Sequence, residues 1–159
     1  MLIPATDNDF AALIAGHPVR GHTLPHGGIE SPEILTMLRG LAAKIPFTPN
    51  AWLMAEAGEI AGLCSLTTAP ENGILTIGYG VAPARRQRGI ARRAIADLVA
   101  WARTDPRVIA ITAATSPENR ASQHVLTANG FAPAGERIDP EDGPLRLWHH
   151  ALAATACKV

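Results

Sequence analysis

The chain has 159 residues, 47% of them apolar, which is enough for the core of one domain. Fourteen lysines and arginines balance 14 acidic residues, so the zero formal net charge argues against a chain built to coat nucleic acid or an anionic membrane. Two cysteines are too few for a disulfide framework, and no signal-peptide pattern or long apolar run occurs, so we expect a cytoplasmic protein.

The first residues predict a short strand followed by a short helix. Residues 1–5 are apolar enough for an edge strand, although a proline limits their pairing. Thr6 or Asp7 can cap a helix over residues 9–15, because both side chains accept hydrogen bonds from free backbone N–H groups. Gly16 is expected to end this helix.

A loop and a second helix follow. Residues 17–30 contain three histidines, two prolines and three glycines, a composition typical of irregular structure. Ser31 and Pro32, followed by an acid in the first turn, predict a helix that runs to about Lys44. Its apolar spacing predicts a buried face made of Ile34, Leu35, Leu38, Leu41 and Ala42.

Three strands are predicted next in the chain. Residues 51–57 and 60–68 read as a hairpin around a tight turn at Gly58. Residues 74–81 form a third strand with two internal glycines, which commonly mark a bulge or the close approach of a ligand. The order of these segments indicates a meander of three strands.

The second half alternates helices and strands. The apolar face expected for the first of these helices comprises Ile90, Ala94, Ile95, Leu98, Val99 and Ala102. A strand over residues 108–115, a helix over 119–129 and strands over 131–138 and 145–150 follow, the last two joined by an acidic turn, while the tail from Ala151 has no assignment. We therefore predict one α/β domain with a mixed sheet covered by helices.

The joint between the third strand and the following helix has the features of an anion site. Gly89 lies beside the helix N-terminus, whose free N–H groups and dipole favour negative charge. Five arginines surround it: Arg85, Arg86, Arg88, Arg92 and Arg93. A phosphate-bearing small ligand explains both features, whereas a solvated basic helix start explains only the arginines.

Two common phosphate loops do not fit this joint. A P-loop requires a Gly-Lys pair, and the chain contains none. A dinucleotide fingerprint requires three glycines in the pattern G-x-G-x-x-G. Gly78 and Gly80 match the first two, but Pro83 occupies the third position. Another type of phosphate site is therefore expected.

The second half of the chain resembles the Gcn5-related N-acetyltransferase (GNAT) superfamily. The resemblance depends on I-G-Y-G-V-A-P, R-Q-R-G-I-A, S-P-E-N-R-A-S, N-G-F and G-P-L-R-L-W, in that order from Leu75 onward. The N-x-x-S pattern is most similar to the ribosomal-protein alanine and serine N-acetyltransferase branch. The resemblance implies a mostly antiparallel sheet of about seven strands flanked by four helices. It also implies an acceptor side over residues 1–50, an acetyl-CoA core over 51–135 and C-terminal strands and tail over 136–159.

The resemblance also implies a site for acetyl-CoA as cosubstrate, with no metal. Backbone groups of the central strand would hold pantetheine, N–H groups after it would hold the pyrophosphate, and an asparagine would contact the pantetheine arm. The implied positions are Tyr79, Gly80, Val81, Arg86, Gln87, Arg88, Gly89, Ile90, Ala91, Arg92 and Asn119. The activity implied is direct attack of an amine on the thioester in a ternary complex.

The acid of this reaction has two candidates. Leu126 stands where many family members carry a catalytic tyrosine. Ser122 matches the residue proposed as the acid in the ribosomal-protein branch, and Tyr79 could substitute for it. Both also fit as packing residues, and these alternatives stay open.

The base is not identified by any motif. Leu75 and Thr76 stand where many family members have a carboxylate. Glu30, His22 and His26 lie in the loop that borders the acceptor cleft in this fold, and water could serve instead. The cysteines are not expected to form a covalent intermediate, since Cys64 lies mid-strand and Cys157 in the tail.

Two other functions compete with catalysis. The missing carboxylate and tyrosine would suit a catalytically weak CoA-binding sensor or interaction module. The arginines would suit a nucleic-acid binder, which zero net charge disfavours. We expect an amine acceptor, no nucleic-acid or membrane partner, and a monomer or homodimer. The acidic turn at residues 136–142 could attract a cationic acceptor or be a solvated hairpin tip.

Overall fold

The computed structural model describes residues 1–152. Its strands are β1 (Leu2–Pro4), β2 (Ala51–Glu56), β3 (Glu59–Leu66), β4 (Ile74–Val81), β5 (Ala110–Thr115), β6 (Ala132–Asp139) and β7 (Gly143–Ala151). Its helices are α1 (Asp7–Ala15), α2 (Pro32–Lys44), α3 (Ile90–Thr104) and α4 (Arg120–Ala128), with a 3-10 turn at Pro83–Arg85. The predicted order of helices and strands is confirmed.

The seven strands form one mixed sheet in the order β1-β2-β3-β4-β5-β7-β6. Neighbouring strands are antiparallel except β4 and β5, which are parallel and are joined through α3. A parallel pair needs a long crossover connection, which α3 supplies. The prediction of a mostly antiparallel seven-stranded sheet with four helices is confirmed.

Two hydrophobic cores lie on the two faces of the sheet. α3 and α4 cover one face, where Leu75, Ile95 and Trp148 are buried. α1 and α2 cover the other face, where Phe10 and Leu53 are buried. The strand residues of this second core come from β1, β2 and β3, and within residues 1–152 none comes from β5, β6 or β7. We call the side of β4, β5 and β7 turned away from α3 and α4 the open face.

The apolar pattern of α3 predicted its packing correctly. All six positions of the expected face are buried: Ile90, Ala94, Ile95, Leu98, Val99 and Ala102. Trp101, on the neighbouring side of the helix, packs against Trp52 with 5.3 Å between ring centroids. Trp52 and Trp101 are therefore packing residues.

The buried face predicted for α2 was too wide. Ile34 is 41% exposed, and Leu35 is the one fully buried residue of this helix. Leu38 and Ala42 pack beside Leu35 only partly buried, because α2 packs mainly on α1 and touches the sheet at a few positions of β3. Leu41 is also only partly buried. The apolar stripe of α2 is wider than the surface that receives it.

The last strand is longer than predicted. β7 begins two residues before and ends one residue after the expected bounds, whereas β6 keeps its expected length and is shifted by one residue. The Asp139 carboxylate caps the turn between them. It accepts hydrogen bonds from the N–H groups of Glu141 and Asp142, at 2.8 and 3.0 Å. These bonds hold the pKa of Asp139 below its usual range. The tail predicted without an assignment, apart from Ala151 and Leu152, lies outside the described residues.

The start of α1 depends on one buried carboxylate. Asp9 accepts two hydrogen bonds from Arg20, at 3.2 and 2.9 Å, and one from the Thr6 N–H at 2.8 Å. Thr6 in turn caps the helix, so the two side chains form a capping box. Burial by itself raises the pKa of Asp9, but the hydrogen bonds from Arg20 and Thr6 outweigh it and lower this pKa.

Replacing Asp9 with asparagine is expected to reduce the free energy of unfolding by about 2 kcal/mol, because a charge-assisted hydrogen bond and part of a helix cap are lost. The folded pKa of Asp9 is lower than its unfolded pKa. The carboxylate therefore stabilises the fold above the unfolded pKa, and this stabilisation disappears as the pH falls through the folded value. Denaturant unfolding at neutral and acid pH measures both effects.

Asp7→Asn is the matched control for this experiment. Asp7 lies in the same helix and pairs with Arg39, but its side chain is 65% exposed against 8% for Asp9. Exposed ion pairs contribute little, so this variant should be close to the wild type in stability. Equal losses for the two variants would contradict a special role for Asp9.

Candidate functional site

A gap opens in the sheet between β4 and β5. The two strands pair only from Ile74 with Ala110 to Ile77 with Ala113, although β4 continues to Val81. From Gly78 onward, β4 therefore has no pairing partner on β5 among the residues that the structure describes. A Cβ built on Gly80 would meet nothing within 4 Å, so the backbone there is open to an approaching molecule.

A cleft of about 510 Å³ adjoins this unpaired edge. It lies between β4, the turn before α3 and the first turns of α4. Its lining comprises Tyr79, Gly80, Val81, Arg85, Arg86, Gln87, Gly89, Ile90, Ala91, Arg92, Asn119, Ala121, Ser122 and Val125. The structure thus brings together all the predicted cofactor and acid positions except Arg88. Arg88 faces solvent beside the cleft, and its carbonyl accepts a hydrogen bond from Arg93 at 3.1 Å.

Three lining residues were not predicted. Val125 lies one turn after Ser122 on α4, so helical periodicity counted from Ser122 would have found it, and Ala121 lies one turn before Val125. Arg85 lines the cleft as well, although sequence analysis had counted it only among the surrounding positive charges.

The turn before α3 has the geometry of an anion-binding loop. Gln87 and Gly89 both have left-handed backbone conformations, with φ of 64° and 74°. Gly89 is the N-cap of α3 and supplies no side-chain hydrogen bond to its first turn. The first N–H groups of the helix have no side-chain acceptor, and a bound anion could accept from them.

Acidic residues of the β2–β3 hairpin neutralise two of the five arginines. Arg85 makes two hydrogen bonds to Glu59, at 2.7 and 2.9 Å, and holds the pKa of that carboxyl below its usual range. Arg93 pairs with Glu56. The expectation that all five charges serve the anion site is therefore corrected, because these two are already paired within the protein.

The remaining arginines keep their charge available at the cleft. Arg86, Arg88 and Arg92 make no ion pair with any residue of the described part of the chain. Arg86 donates from Nε to the carbonyl oxygen of Val81 at 3.2 Å, on the unpaired edge of β4. Three guanidinium groups are thus free to meet an anion.

Tyr79 and Ser122, the two predicted acids, are hydrogen-bonded to each other. The Ser122 Oγ donates to the Tyr79 hydroxyl at 2.9 Å, and that hydroxyl donates to the Ser122 carbonyl at 3.2 Å. Burial raises the pKa of Tyr79 to about 12, although the hydrogen bond from Ser122 opposes the shift. Both hydroxyls are therefore protonated at neutral pH and can donate protons.

Asn119 positions this pair. It is the N-cap of α4, and its Oδ1 accepts from the Ser122 N–H at 3.1 Å. The N-x-x-S motif is thus the first turn of α4, which presents the Ser122 hydroxyl to Tyr79. The Asn119 Nδ2 makes no hydrogen bond to another described residue and lies at the cleft.

The two β4 positions that stand for a carboxylate face opposite sides of the sheet. Leu75 is fully buried in the core under α3, so it has no access to a reacting group. Thr76 faces the open side, and its Oγ1 lies 2.9 Å from the Oγ1 of Thr112 on β5. Leu126, at the tyrosine position, is also fully buried.

The base candidates in the loop between α1 and α2 do not line the cleft. The Glu30 carboxylate accepts from the neighbouring Ser31 N–H at 3.0 Å, and His22 Nδ1 lies 3.1 Å from the Arg20 carbonyl. His26 is exposed. Local hydrogen bonds occupy the first two, and nothing in the structure orients His26 toward β4.

The described residues include one cysteine, the buried Cys64. Burial raises the pKa of the Cys64 thiol to about 12, so this residue is a poor nucleophile, while Cys157 lies outside the described residues. Within residues 1–152, no group of three or more His, Cys, Asp or Glu side chains could hold a metal ion. No helix in this part of the chain is long and apolar enough to cross a membrane.

The chain is similar to a known protein family. A family model described as an acetyltransferase (GNAT) domain matches residues 1–132. A search of curated protein sequences found no significant match.

Solved structures with this fold are numerous. The aminoglycoside acetyltransferase AAC(6')-Ib in complex with coenzyme A is 19% identical, with a TM-score of 0.71 over 99% of this chain and 98% of that chain. RimL, a ribosomal-protein alpha-N-acetyltransferase in complex with coenzyme A, is 18% identical, with a TM-score of 0.70 over 96% and 94%. A spermidine N-acetyltransferase variant from Vibrio cholerae is 16% identical, with a TM-score of 0.69 over 96% and 95%. The three structures are equally similar, so the likeness identifies a fold and no acceptor.

Proposed function

The chain belongs to the GNAT acetyltransferase family, and on that premise we propose that it transfers an acetyl group from acetyl-CoA to an amine. The amine attacks the thioester directly while both substrates are bound. The observation that carries the proposal is the continuity of one cleft from the glycine-arginine turn, along the unpaired β4 edge, to the hydroxyls of Tyr79 and Ser122.

The cleft offers suitable partners for the pantetheine and the pyrophosphate of acetyl-CoA. Pantetheine amides would pair with the β4 backbone between Tyr79 and Val81, as an added strand does. The pyrophosphate would lie on the first N–H groups of α3, with the arginines at 86, 88 and 92 near its charges. Arg86 would leave the Val81 carbonyl when pantetheine takes that acceptor, and Asn119 would donate from Nδ2 to the pantetheine arm.

The protein's own groups supply the proton that the departing thiolate needs. When the amine nitrogen bonds to the carbonyl carbon and the carbon–sulfur bond breaks, Ser122 Oγ gives its proton to sulfur. The Tyr79 hydroxyl then turns from the Ser122 carbonyl to the serine oxygen, restores the serine proton, and takes in turn the proton that the acylated nitrogen loses. A backbone N–H of β4 polarises the thioester carbonyl.

A protein N-terminal amine is the acceptor that we propose, as in the ribosomal-protein branch. On the open face, the residues of β4, β5 and β7 that border the gap carry hydroxyl, imidazole or aliphatic side chains: Thr76, Thr112, Ala114, Leu147 and His149. None of these carries a carboxylate to bind a second ammonium group. A polycation such as spermidine or an aminoglycoside needs such partners, whereas a single amine does not.

Thiol release from acetyl-CoA tests the proposal. Purified protein is mixed with acetyl-CoA and with peptides that begin with alanine or serine, spermidine, an aminoglycoside or free amino acids, and the product is identified by mass spectrometry. We expect acetylation of at least one peptide with a kcat/KM at least tenfold above that for either polycation.

The same panel separates the proposal from its competitor. Binding of acetyl-CoA by calorimetry, without release of thiol over the whole panel, would instead favour a CoA-binding sensor. Absence of acetyl-CoA binding would overturn the proposal entirely. Preference for spermidine or the aminoglycoside would keep the activity and reject the acceptor class.

A further inference from the structure

Strand register places one histidine beside the hydroxyl pair on the open face. Thr76 on β4 pairs with Thr112 on β5, and Thr112 pairs with His149 on β7. Directly paired residues of neighbouring strands project to the same side of a sheet. The 2.9 Å contact between the threonine hydroxyls confirms that these two share a side, and register places the His149 imidazole on that side too.

The neighbours of His149 along β7 belong to the opposite face. Trp148 donates from its indole to Thr115 in the buried core, and His150 bonds to the Gly130 carbonyl beside α3 and α4. Because side chains alternate along a strand, His149 must project away from those helices. It is half-buried, and its imidazole makes no hydrogen bond or ion pair with another residue among those described.

This open face is also where the gap between β4 and β5 begins. The last paired row, Ile77 with Ala113, is one residue beyond Thr76 and Thr112. A thioester that lies along the β4 edge would therefore meet its acceptor next to the row of Thr76, Thr112 and His149. This placement depends on the proposed function.

We propose that His149 accepts the proton of the amine acceptor. The neutral imidazole takes one proton from the bound ammonium group, leaving a lone pair that attacks the thioester carbonyl. The nitrogen–carbon bond forms, the carbon–sulfur bond breaks, and the thiolate takes its proton from Ser122. The second proton leaves the acylated nitrogen and restores the Ser122 hydroxyl by way of Tyr79. His149 then releases its proton to solvent, so one proton is released per acetyl group transferred, which balances the reaction of an ammonium ion with a thioester.

Few other charged groups face His149. On the open face of the hairpin β6–β7, Ala132 is its partner across β6, and Arg137 and Asp139 lie toward the hairpin tip, 4.0 Å from each other. From β4 and β5 it faces only the threonine hydroxyls. The loop at 17–30, which carries His17, His22, His26 and Glu30, is joined to the start of β3 by the pairing of Thr23 with Glu59. The imidazole is thus the basic side chain of the row that it forms with Thr76 and Thr112.

The pH dependence of kcat at saturating acceptor tests this role. With an N-terminal peptide amine, kcat of the wild type should fall on an acid limb that reports the loss of the unprotonated base. In His149→Gln this limb should move toward the α-amine pKa of about 8, with kcat at pH 7 reduced by about 100-fold. Free imidazole should restore part of the rate in His149→Ala.

Two controls separate this role from folding and from the proposed function itself. His150→Gln lies on the same strand but faces the other side, so it should leave the limb unchanged even where stability falls. Acetyl-CoA affinity and thermal unfolding show whether the His149 variants are folded. An unmoved limb in a folded His149→Gln enzyme overturns the inference, as does a lack of imidazole rescue, whereas an inactive wild type overturns the proposed function instead.

Discussion

Acetyl-CoA binding is expected to fall by about 100-fold or more when Gly89 is replaced with glutamate, because a carboxylate at a helix N-terminus repels phosphate and a side chain is strained there. Gly89 has a φ of 74°, and a Cβ at this position would lie 2.9 Å from the Arg93 guanidinium. That guanidinium is held by Glu56 and the Arg88 carbonyl, so it cannot move aside without breaking those contacts. Calorimetric titration with acetyl-CoA measures the loss.

Gly16→Glu is the matched control for Gly89→Glu. Gly16 has a φ of 75° at the end of α1, and a Cβ there would meet nothing within 4 Å. The backbone strain is the same, but the cleft is remote, so acetyl-CoA affinity should stay within about twofold of the wild type. Gly89→Ala adds the side chain without the charge and should fall between the two. Equal acetyl-CoA binding by Gly89→Glu and the wild type would show that the anion site does not lie at this turn.

Removing either hydroxyl of the Tyr79–Ser122 pair is expected to lower kcat by about 100-fold, because a positioned general acid contributes at least this much. Ser122→Ala keeps the cap of α4, since Asn119 bonds to the Ser122 N–H and not to its hydroxyl. Tyr79→Phe keeps the buried ring. Acetyl-CoA affinity should therefore change by less than about threefold in both variants.

The double variant distinguishes a relay from two independent contacts. If the serine hydroxyl delivers the proton and the tyrosine restores it, the double variant should be no slower than the slower single variant. Losses of kcat that multiply in the double variant would contradict the relay. An unchanged kcat in Ser122→Ala would show that Ser122 is a packing residue. Because burial raises the pKa of Tyr79 to about 12, this donor stays protonated over the whole assay range up to pH 10.

The proposed donor site and the proposed acceptor side differ in what forms them. The proposed donor site combines backbone geometry and cationic charge in one cleft. The proposed acceptor side is a sheet surface whose chemistry depends on a few positions across β4, β5 and β7. Proteins with the same fold can therefore share the first and differ in the second, which agrees with the aminoglycoside, spermidine and ribosomal-protein acetyltransferases having equally similar folds.

The sequence by itself determined the elements whose cause is local. The buried face of α3 follows from its 3.6-residue period, and the left-handed turn before it follows from Gly89, since glycine adopts that conformation without strain. Asn119 caps α4 because its side chain reaches an N–H only three residues away. The predicted width of the buried face of α2 was wrong at Ile34, because packing decides that width. Periodicity does not state how much surface a neighbouring element offers.

The tertiary structure alone decided which charges and hydroxyls meet. Glu56 and Glu59 neutralise Arg93 and Arg85 from 37 and 26 residues away, and Tyr79 meets Ser122 across 43 residues. His149 is placed beside Thr112 by the register of β7 on β5. Such contacts depend on how strands align and where they separate, and a shift of one residue would turn every side chain of a strand to the other face. No local pattern in the chain specifies that alignment, because the apolar contacts that fix it come from residues distant in sequence.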